Sequence, residues 1–168
     1  MEIINKVDQS GLVTIDPADF YPQGARAAFD IRPLLFEELL LREKDFREFV
    51  KENDWSAYRD QYVAVYCSND AIVPVWAYML LASALQPFAK EIFFGSPYEM
   101  EKHLFYTALK KINPTDFQNQ RVVIKGCGDV PVPVSAYVEL TRLLKPVVKS
   151  IMYGEPCSTV PVYKKSGQ

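Results

Sequence analysis

The sequence predicts a single α/β domain, with a parallel sheet of at least four strands built from a duplicated β-α-β unit. Three observations predict it: an internal repeat, strands that are apolar without alternation, and helical segments between those strands. Continuous apolar strands that alternate with helices are typical of a parallel sheet covered on its faces. The predicted domain spans residues 1–168, and residues 1–60 form its N-terminal strand and helix segment.

The repeat appears when the sequence is shifted by 59 positions, which aligns residues 61–98 with residues 120–157 without a gap. Fifteen of the 38 aligned pairs are identical, a density that chance does not explain. In each copy a β-rich run, YVAVYC or RVVIKG, precedes a helix that begins near Pro74 or Pro133. That helix stops at the next proline, and a second apolar run follows, EIFFG or SIMYG. Each copy is therefore predicted to form one β-α-β unit.

The helices of the two copies differ in charge. VSAYVELTRLL is amphipathic, whereas VWAYMLLASAL contains no charged residue. A helix that is apolar all round is expected to be buried all round. The sequence therefore predicts that the N-terminal segment or a second subunit covers the outer face of the uncharged helix, and a homodimer is expected.

The remaining elements follow from local pattern. SPYEMEKHLFYTALKKI is predicted to be the helix that links the two copies, and it carries the only histidine, His103. Upstream, LVTID and RAAFDI are predicted to be short strands. RPLLFEELLLREKDFREFVKEN, which follows them, is predicted to form one bent helix or two.

Composition restricts the class of protein. Of 168 residues, 49% are apolar and 24% are charged, and the formal net charge is −2, which is ordinary for a soluble globular protein. The 19 basic residues are scattered, so no nucleic-acid partner is expected. No apolar run approaches the length of a membrane span, and the start lacks a signal peptide pattern. We therefore expect a cytoplasmic protein with reduced cysteines and no membrane association.

The three cysteines all follow predicted strands. Cys67 ends the first repeat strand, Cys127 follows the third, and Cys157 follows the fourth. If the first and third strands are neighbours, all three thiols lie at the carboxyl rim of the sheet, where ligands bind in open α/β folds. Thiolates bind zinc, iron and iron–sulfur clusters, so the trio is a candidate metal site. Buried structural cysteines are the alternative, while a catalytic thiol is disfavoured because His103 lies on a covering helix.

Two aspartates hold equivalent positions in the copies. Asp70 and Asp129 lie two or three residues after Cys67 and Cys127, in the turn before each repeat helix. Either carboxylate could supply a fourth, oxygen ligand to the metal, or could cap the turn and helix. The segment GCG lacks the third glycine of a dinucleotide-binding loop, and no other catalytic motif occurs. The sequence leaves open whether the protein is an enzyme.

Three stretches resemble a known family: CSNDAIVPVWAYMLL, VVIKGCGDVPVPVSAY and KSIMYGEPCSTVPVYK. They are similar to domain-of-unknown-function family number 2480 of Bacteroidetes bacteria, and the resemblance covers nearly the whole chain. The resemblance implies no activity and no catalytic residues. It does imply an association with iron–sulfur cluster assembly proteins, since genes of the family lie near the genes of that process.

These observations give three hypotheses. In the first, the protein binds a metal ion or iron–sulfur cluster through Cys67, Cys127 and Cys157, as an accessory in cluster assembly. In the second, it is a small-molecule binder or enzyme that uses the same crevice, with Asp70 and Asp129 as its polar groups. In the third, it is a non-catalytic homodimer with structural cysteines, joined through the uncharged helix.

Overall fold

The computed structural model describes residues 5–7, 11–126, 128–155 and 157–167. Within them the strands are β1 (Asn5–Val7), β2 (Leu12–Ile15), β3 (Arg26–Asp30), β4 (Tyr62–Tyr66), β5 (Glu91–Phe94), β6 (Arg121–Ile124), β7 (Ser150–Glu155) and β8 (Ser158–Lys164). The helices are α1 (Glu43–Glu52), α2 (Val75–Leu85), α3 (Pro97–Leu109) and α4 (Val134–Leu144). The predicted α/β class is confirmed. No helix in these ranges combines the length and apolar character needed to cross a membrane.

The chain divides into two compact units. Unit 1 comprises Met1–Pro22 and Lys102–Gln168, and unit 2 comprises Gln23–Glu101. The boundary falls inside α3, the helix that was predicted to link the two copies. Each β-α-β copy therefore belongs to a different unit.

Unit 1 contains a five-stranded sheet in the order β1-β2-β6-β7-β8. The three central strands are parallel, and β1 and β8 pair antiparallel at the two edges. Helix α4 packs on this sheet through Ala136, Leu140 and Leu144, each of which is almost fully buried. The carboxyl ends of β2, β6 and β7 consequently meet at one edge of the unit 1 sheet.

Unit 2 contains a three-stranded parallel sheet in the order β3-β4-β5. The central strand β4 is buried from Tyr62 to Val65, which explains its continuous apolar sequence. Aromatic residues fill the core beside β3, and Trp55 donates its indole N–H to the backbone oxygen of Val50 at 2.8 Å. The polar atom of this buried ring is therefore satisfied.

The predicted pairing of the first and third repeat strands is wrong. These strands are β4 and β6, and β4 pairs with β3 and β5, whereas β6 pairs with β2 and β7. The reason lies in the N-terminal segment, in which β2 and β3 each provide a parallel neighbour for one copy. Because β3 already occupies the first edge of β4, and β2 that of β6, the two copies form separate sheets.

Several helical elements of the two copies nevertheless begin and end at positions 59 residues apart. Helices α2 and α4 match in this way, as do the short 3-10 helices Trp55–Tyr58 and Pro114–Phe117. Asp60 and Asn119, also 59 apart, both adopt left-handed backbone conformations, with φ of 59° and 58°. The duplication itself stays a prediction, but this correspondence extends it upstream of residue 61.

Two predicted helical segments differ in detail. Helix α2 is not buried all round: Ala77, Leu81 and Leu85 are buried, but Val75 and Met79 are largely exposed. Trp76 contacts α1, where its ring packs edge-on against Phe46 with centroids 6.0 Å apart. The segment predicted as one bent helix or two forms a 3-10 turn at Arg32–Leu34 and then α1. The short α1 covers only part of α2.

Candidate functional site

A cavity of about 320 Å³ opens at the carboxyl ends of the central strands of unit 1. Ligands of parallel α/β sheets bind at this end of the strands, and small-molecule pockets begin at about 300 Å³. Charged, aromatic, glycine, alanine and valine residues form its wall: Asp16, Ala18, Lys125, Gly126, Gly128, Val130, Val132, Tyr137 and Tyr153. Together these residues define the unit 1 cavity.

One wall of the unit 1 cavity carries a loose ion pair. Asp16 directly follows β2 and Lys125 directly follows β6, so parallel pairing of the strands brings them together. The Lys125 Nζ to Asp16 Oδ2 distance is 3.5 Å, longer than the ~2.7–2.9 Å of a charge-assisted hydrogen bond. Asp16 Oδ1 accepts the backbone N–H of Ala18 at 2.9 Å. Lys125 therefore retains hydrogen-bonding capacity on the cavity side.

A second carboxylate lies near this pair. Burial raises the pKa of Asp19 above its ordinary value, and the negative charge of Asp16 raises it further, while Lys125 acts in the opposite direction. Asp19 sits on the short 3-10 helix Pro17–Phe20, which Asp16 caps. Two carboxylates and one lysine therefore lie at the charged end of the cavity.

The opposite wall is aromatic. The rings of Tyr137 on α4 and Tyr153 on β7 pack edge-to-face, with centroids 5.8 Å apart and planes at 74°. The Tyr137 hydroxyl donates to the backbone oxygen of Lys125 at 3.3 Å. A side chain at Gly126 would overlap the phenol of Tyr153, so this ring position requires glycine at residue 126. Packing against Tyr153 therefore explains why the first residue of the GCG segment is glycine.

The apolar part of the cavity lies before α4. Val130 and Val132 line it, and α4 begins immediately afterwards with Pro133 as its N-cap residue. Proline supplies no side-chain hydrogen bond at that N-cap, and the N-terminal end of a helix carries partial positive charge. The cavity thus combines a charged end, an aromatic wall and an apolar end.

Unit 2 has a corresponding but different arrangement. Asp30 lies opposite Tyr66, the residue 59 positions before Lys125, and so corresponds to Asp16. Its carboxylate accepts the Ser68 hydroxyl at 2.5 Å and the backbone N–H groups of Ser68 and Arg32 at 3.0 Å each. Burial alone would raise the pKa of Asp30, but these hydrogen bonds lower it below its ordinary value. This carboxylate is engaged by its own loop.

The loop after β4 is also tied to the segment before α1. The amide of Asn69 donates to the backbone oxygen of Glu38 at 2.6 Å, and Leu40 forms a parallel bridge with Ile72. Cys67 is partly buried and packs against the apolar core of unit 2. Burial raises the pKa of Tyr78, and electrostatic interaction with Cys67 and Asp30 raises it further.

The structure places the predicted metal ligands as follows. Cys67 lies in unit 2, Cys157 is exposed in unit 1 just before β8, and Cys127 lies outside the described residues. Among the residues that the structure does describe, no group of three or more His, Cys, Asp or Glu could hold a metal ion. The three-cysteine site therefore stays a prediction, although the strand pairing on which it rested is wrong.

The predicted aspartates are both exposed. Asp70 lies in the loop tied to Glu38, and Asp129 lies between Gly128 and Val130, two residues that line the unit 1 cavity. The sequence interpretation missed Asp16, Lys125 and Tyr153. The available signal was a charged residue directly after each of the apolar runs LVTI and RVVI, which becomes informative only once β2 and β6 are known to pair.

Comparison with known proteins gave one match. The family model described as "Protein of unknown function (DUF2480)" matches residues 1–165. No curated protein and no solved structure matches the chain.

Proposed function

The chain belongs to the family described as "Protein of unknown function (DUF2480)", and from its geometry we propose that it binds a small organic molecule in the unit 1 cavity. The observation that supports this proposal is the position of the cavity at the carboxyl ends of β2, β6 and β7, with a loose ion pair and an aromatic wall. Crevices at this end of the strands are the usual binding sites of α/β proteins.

The charges of the site favour a ligand with one carboxylate. Lys125 can pair with one carboxylate oxygen at the charged end of the cavity. Asp16 and Asp19 disfavour a doubly charged phosphate at the same place. A ligand hydroxyl or amine could instead donate to Asp16. We therefore propose a small hydroxy or amino carboxylic acid.

The volume of the cavity limits the size of the ligand. At about 320 Å³ the cavity is at the lower limit for ligand pockets, so a nucleotide is disfavoured. Val130 and Val132 would contact a short apolar group, and the Tyr137 and Tyr153 rings would exclude water from one side. Lys125 and Asp16 would orient the polar end.

The test is ligand binding by the full chain. Small hydroxy, amino and unsubstituted carboxylic acids would be screened by thermal unfolding, and hits measured by calorimetry. A ligand at 100 times its Kd stabilises the folded state by about 2.7 kcal/mol. We expect hydroxy or amino acids to bind, and inorganic phosphate not to bind.

A matched pair of variants locates the site. Val132→Trp fills the unit 1 cavity and should raise Kd at least about tenfold, while Val73→Trp alters the aligned, likewise half-buried position of unit 2. The control variant should bind as the unmodified protein does. The proposal is wrong if no acid binds, or if both variants bind with unchanged Kd.

The three-cysteine metal or iron–sulfur site remains a separate proposal with its own test. Protein purified without oxygen would be analysed for iron, zinc and visible absorption. Shared coordination by Cys67, Cys127 and Cys157 predicts that serine at any one of them lowers the bound metal to a similar extent. Bound metal that is unaffected by all three substitutions would contradict it, as would its absence from freshly purified protein.

A further inference from the structure

Unit 2 carries a contiguous apolar patch on its surface. It consists of Leu39, Leu40, Ile72, Val75 and Met79, whose exposed fractions run from 50% at Leu40 to 89% at Ile72. The bridge between Leu40 and Ile72 joins its two halves, and Val75 and Met79 lie one turn apart on α2. We call these five residues the apolar patch.

The apolar patch is more than a set of scattered surface residues. Single exposed apolar side chains are normal, but a contiguous group of large ones marks an interaction surface. The helix that carries Val75 and Met79 has no charged residue, whereas the matching helix α4 carries Glu139 and Arg142. Depletion of charge is characteristic of the centre of a homodimer interface.

Charge also determines which partner fits the apolar patch. A two-fold contact places the patch of one molecule against the same patch of another. Because α2 is uncharged, such a contact opposes no like charges. Two ion pairs lie near the patch, Arg32 with Glu38 at 2.8 Å and Arg47 with Glu43 at 3.0 Å. The charged residues beside the patch in sequence carry both signs, so a partner of one strong charge would meet repulsion as well as attraction.

The size of the patch suits the centre of a dimer interface. A specific interface buries about 800 Å² on each partner, surrounded by a more polar rim. Five large apolar side chains, each at least half exposed, can form its centre, and the two ion pairs lie at its border. We infer that two copies of this chain associate through the apolar patch, with α2 of one copy against α2 of the other.

The inference is tested by the molecular mass of the full chain in solution. Light scattering and sedimentation over a range of concentrations should give twice the 19.2 kDa of one chain. Met79→Glu places two like charges in the contact and should raise the dimer Kd by at least about 100-fold. Val138→Glu changes the aligned and similarly exposed position of α4 in unit 1, and should leave the dimer unchanged.

A second variant distinguishes loss of the dimer contact from a folding defect. Ile72→Asp alters the most exposed residue of the patch, outside any helix, and circular dichroism would verify that both variants remain folded. Folded monomers for Met79→Glu and Ile72→Asp, with a dimer for Val138→Glu, are the expected result. A monomeric unmodified protein at every concentration would overturn the inference, as would dimers that persist in both patch variants.

Discussion

The carboxyl ends of the strands in unit 1 and unit 2 share one framework. In each unit an aspartate lies at the carboxyl end of the first parallel strand, Asp16 directly after β2 and Asp30 as the last residue of β3. Each accepts the backbone N–H of the residue two positions later. Each unit also has an edge-to-face aromatic pair between its helix and its last parallel strand. The pair is Tyr137 with Tyr153 in unit 1, and Tyr78 with Phe94 in unit 2, the latter with centroids 4.9 Å apart.

The two units differ in what surrounds that framework. In unit 2 the Ser68 hydroxyl and backbone engage the carboxylate of Asp30, and the loop is held by Glu38 and Leu40. In unit 1 the carboxylate of Asp16 accepts the backbone N–H of Ala18 and forms a long ion pair with Lys125, beside a cavity. The comparison indicates that the same strand and helix frame serves stability in one unit and, as we propose, binding in the other. Function depends on the residues grafted onto a frame rather than on the frame.

The largest expected effect tests the shared frame itself. Leu81 and Leu140 hold aligned positions on α2 and α4, and both are fully buried. Replacing either by alanine removes apolar contacts and leaves a cavity, so each should lower the free energy of unfolding by about 2–5 kcal/mol. Urea unfolding followed by circular dichroism measures the change. A loss below about 1 kcal/mol for one of the two variants alone would show that the aligned leucines do not stabilise the two units in the same way.

A smaller effect is expected where the units differ in packing. Gly126→Ala forces a methyl group against the phenol of Tyr153, and overpacking of this kind costs about 1–3 kcal/mol. Cys67 holds the aligned position in unit 2, where a side chain fits, so Cys67→Ala should cost less than about 1.5 kcal/mol. Thermal unfolding of the two variants gives the difference. Equal stability of Gly126→Ala and the unmodified protein would show that Tyr153 is not held against this glycine.

The next effect concerns the hydrogen bonds of the Asp30 carboxylate. They should contribute about 1 kcal/mol to the free energy of unfolding, because they lie at a partly exposed site. The pKa of Asp30 is lower in the folded state than the ~3.9 of an unfolded aspartate. The contribution is therefore present above the unfolded pKa and is lost as pH falls through the folded pKa. Asp30→Asn should be less stable at neutral pH and should lose less stability between about pH 5 and 2. A pH series of urea unfolding measures this, and identical slopes for the two proteins would contradict it.

The smallest effect is expected at the Glu139–Arg142 pair of α4. Arg142 Nη2 lies 2.6 Å from Glu139 Oε1, but the arginine side chain is largely exposed, so Arg142→Ala should change the free energy of unfolding only slightly. The hydrogen bond from Arg142 lowers the pKa of Glu139, and its removal should raise that pKa toward the ordinary value. An NMR titration of the glutamate carboxyl measures the change. A further decrease of the pKa would contradict the assignment of Arg142 as the cause.

The local elements could be predicted from the sequence because local pattern determines them. Prolines before and after each repeat helix, and the apolar runs on either side, give α2 and α4 and the strands that flank them. Strand pairing could not be predicted, because LVTID and RAAFDI read alike and either could have joined one common sheet. Each instead pairs with a different copy, which placed Cys67 and Cys157 in different units.

The unit 1 cavity could not be predicted from the sequence, for the same physical reason. Asp16, Lys125 and Tyr153 lie on β2, β6 and β7 or directly after them, more than 100 residues apart at the extremes. Parallel pairing alone brings them together, and periodicity carries no information about which strands pair. Cysteine and glycine drew attention to residues 126–128 in the sequence, and Gly126 and Gly128 do line the cavity.

The most direct test of the proposed binding site is NMR mapping of the full chain with the tightest-binding hydroxy or amino carboxylic acid. If the ligand binds in the unit 1 cavity, we expect chemical shift changes at the backbone amides of Lys125, Gly126 and Gly128, with saturation at one ligand per chain. We expect no comparable change at Tyr66 and Ser68, the aligned region of unit 2. Shift changes confined to unit 2, or changes that never saturate, would contradict the proposal that the unit 1 cavity is the binding site.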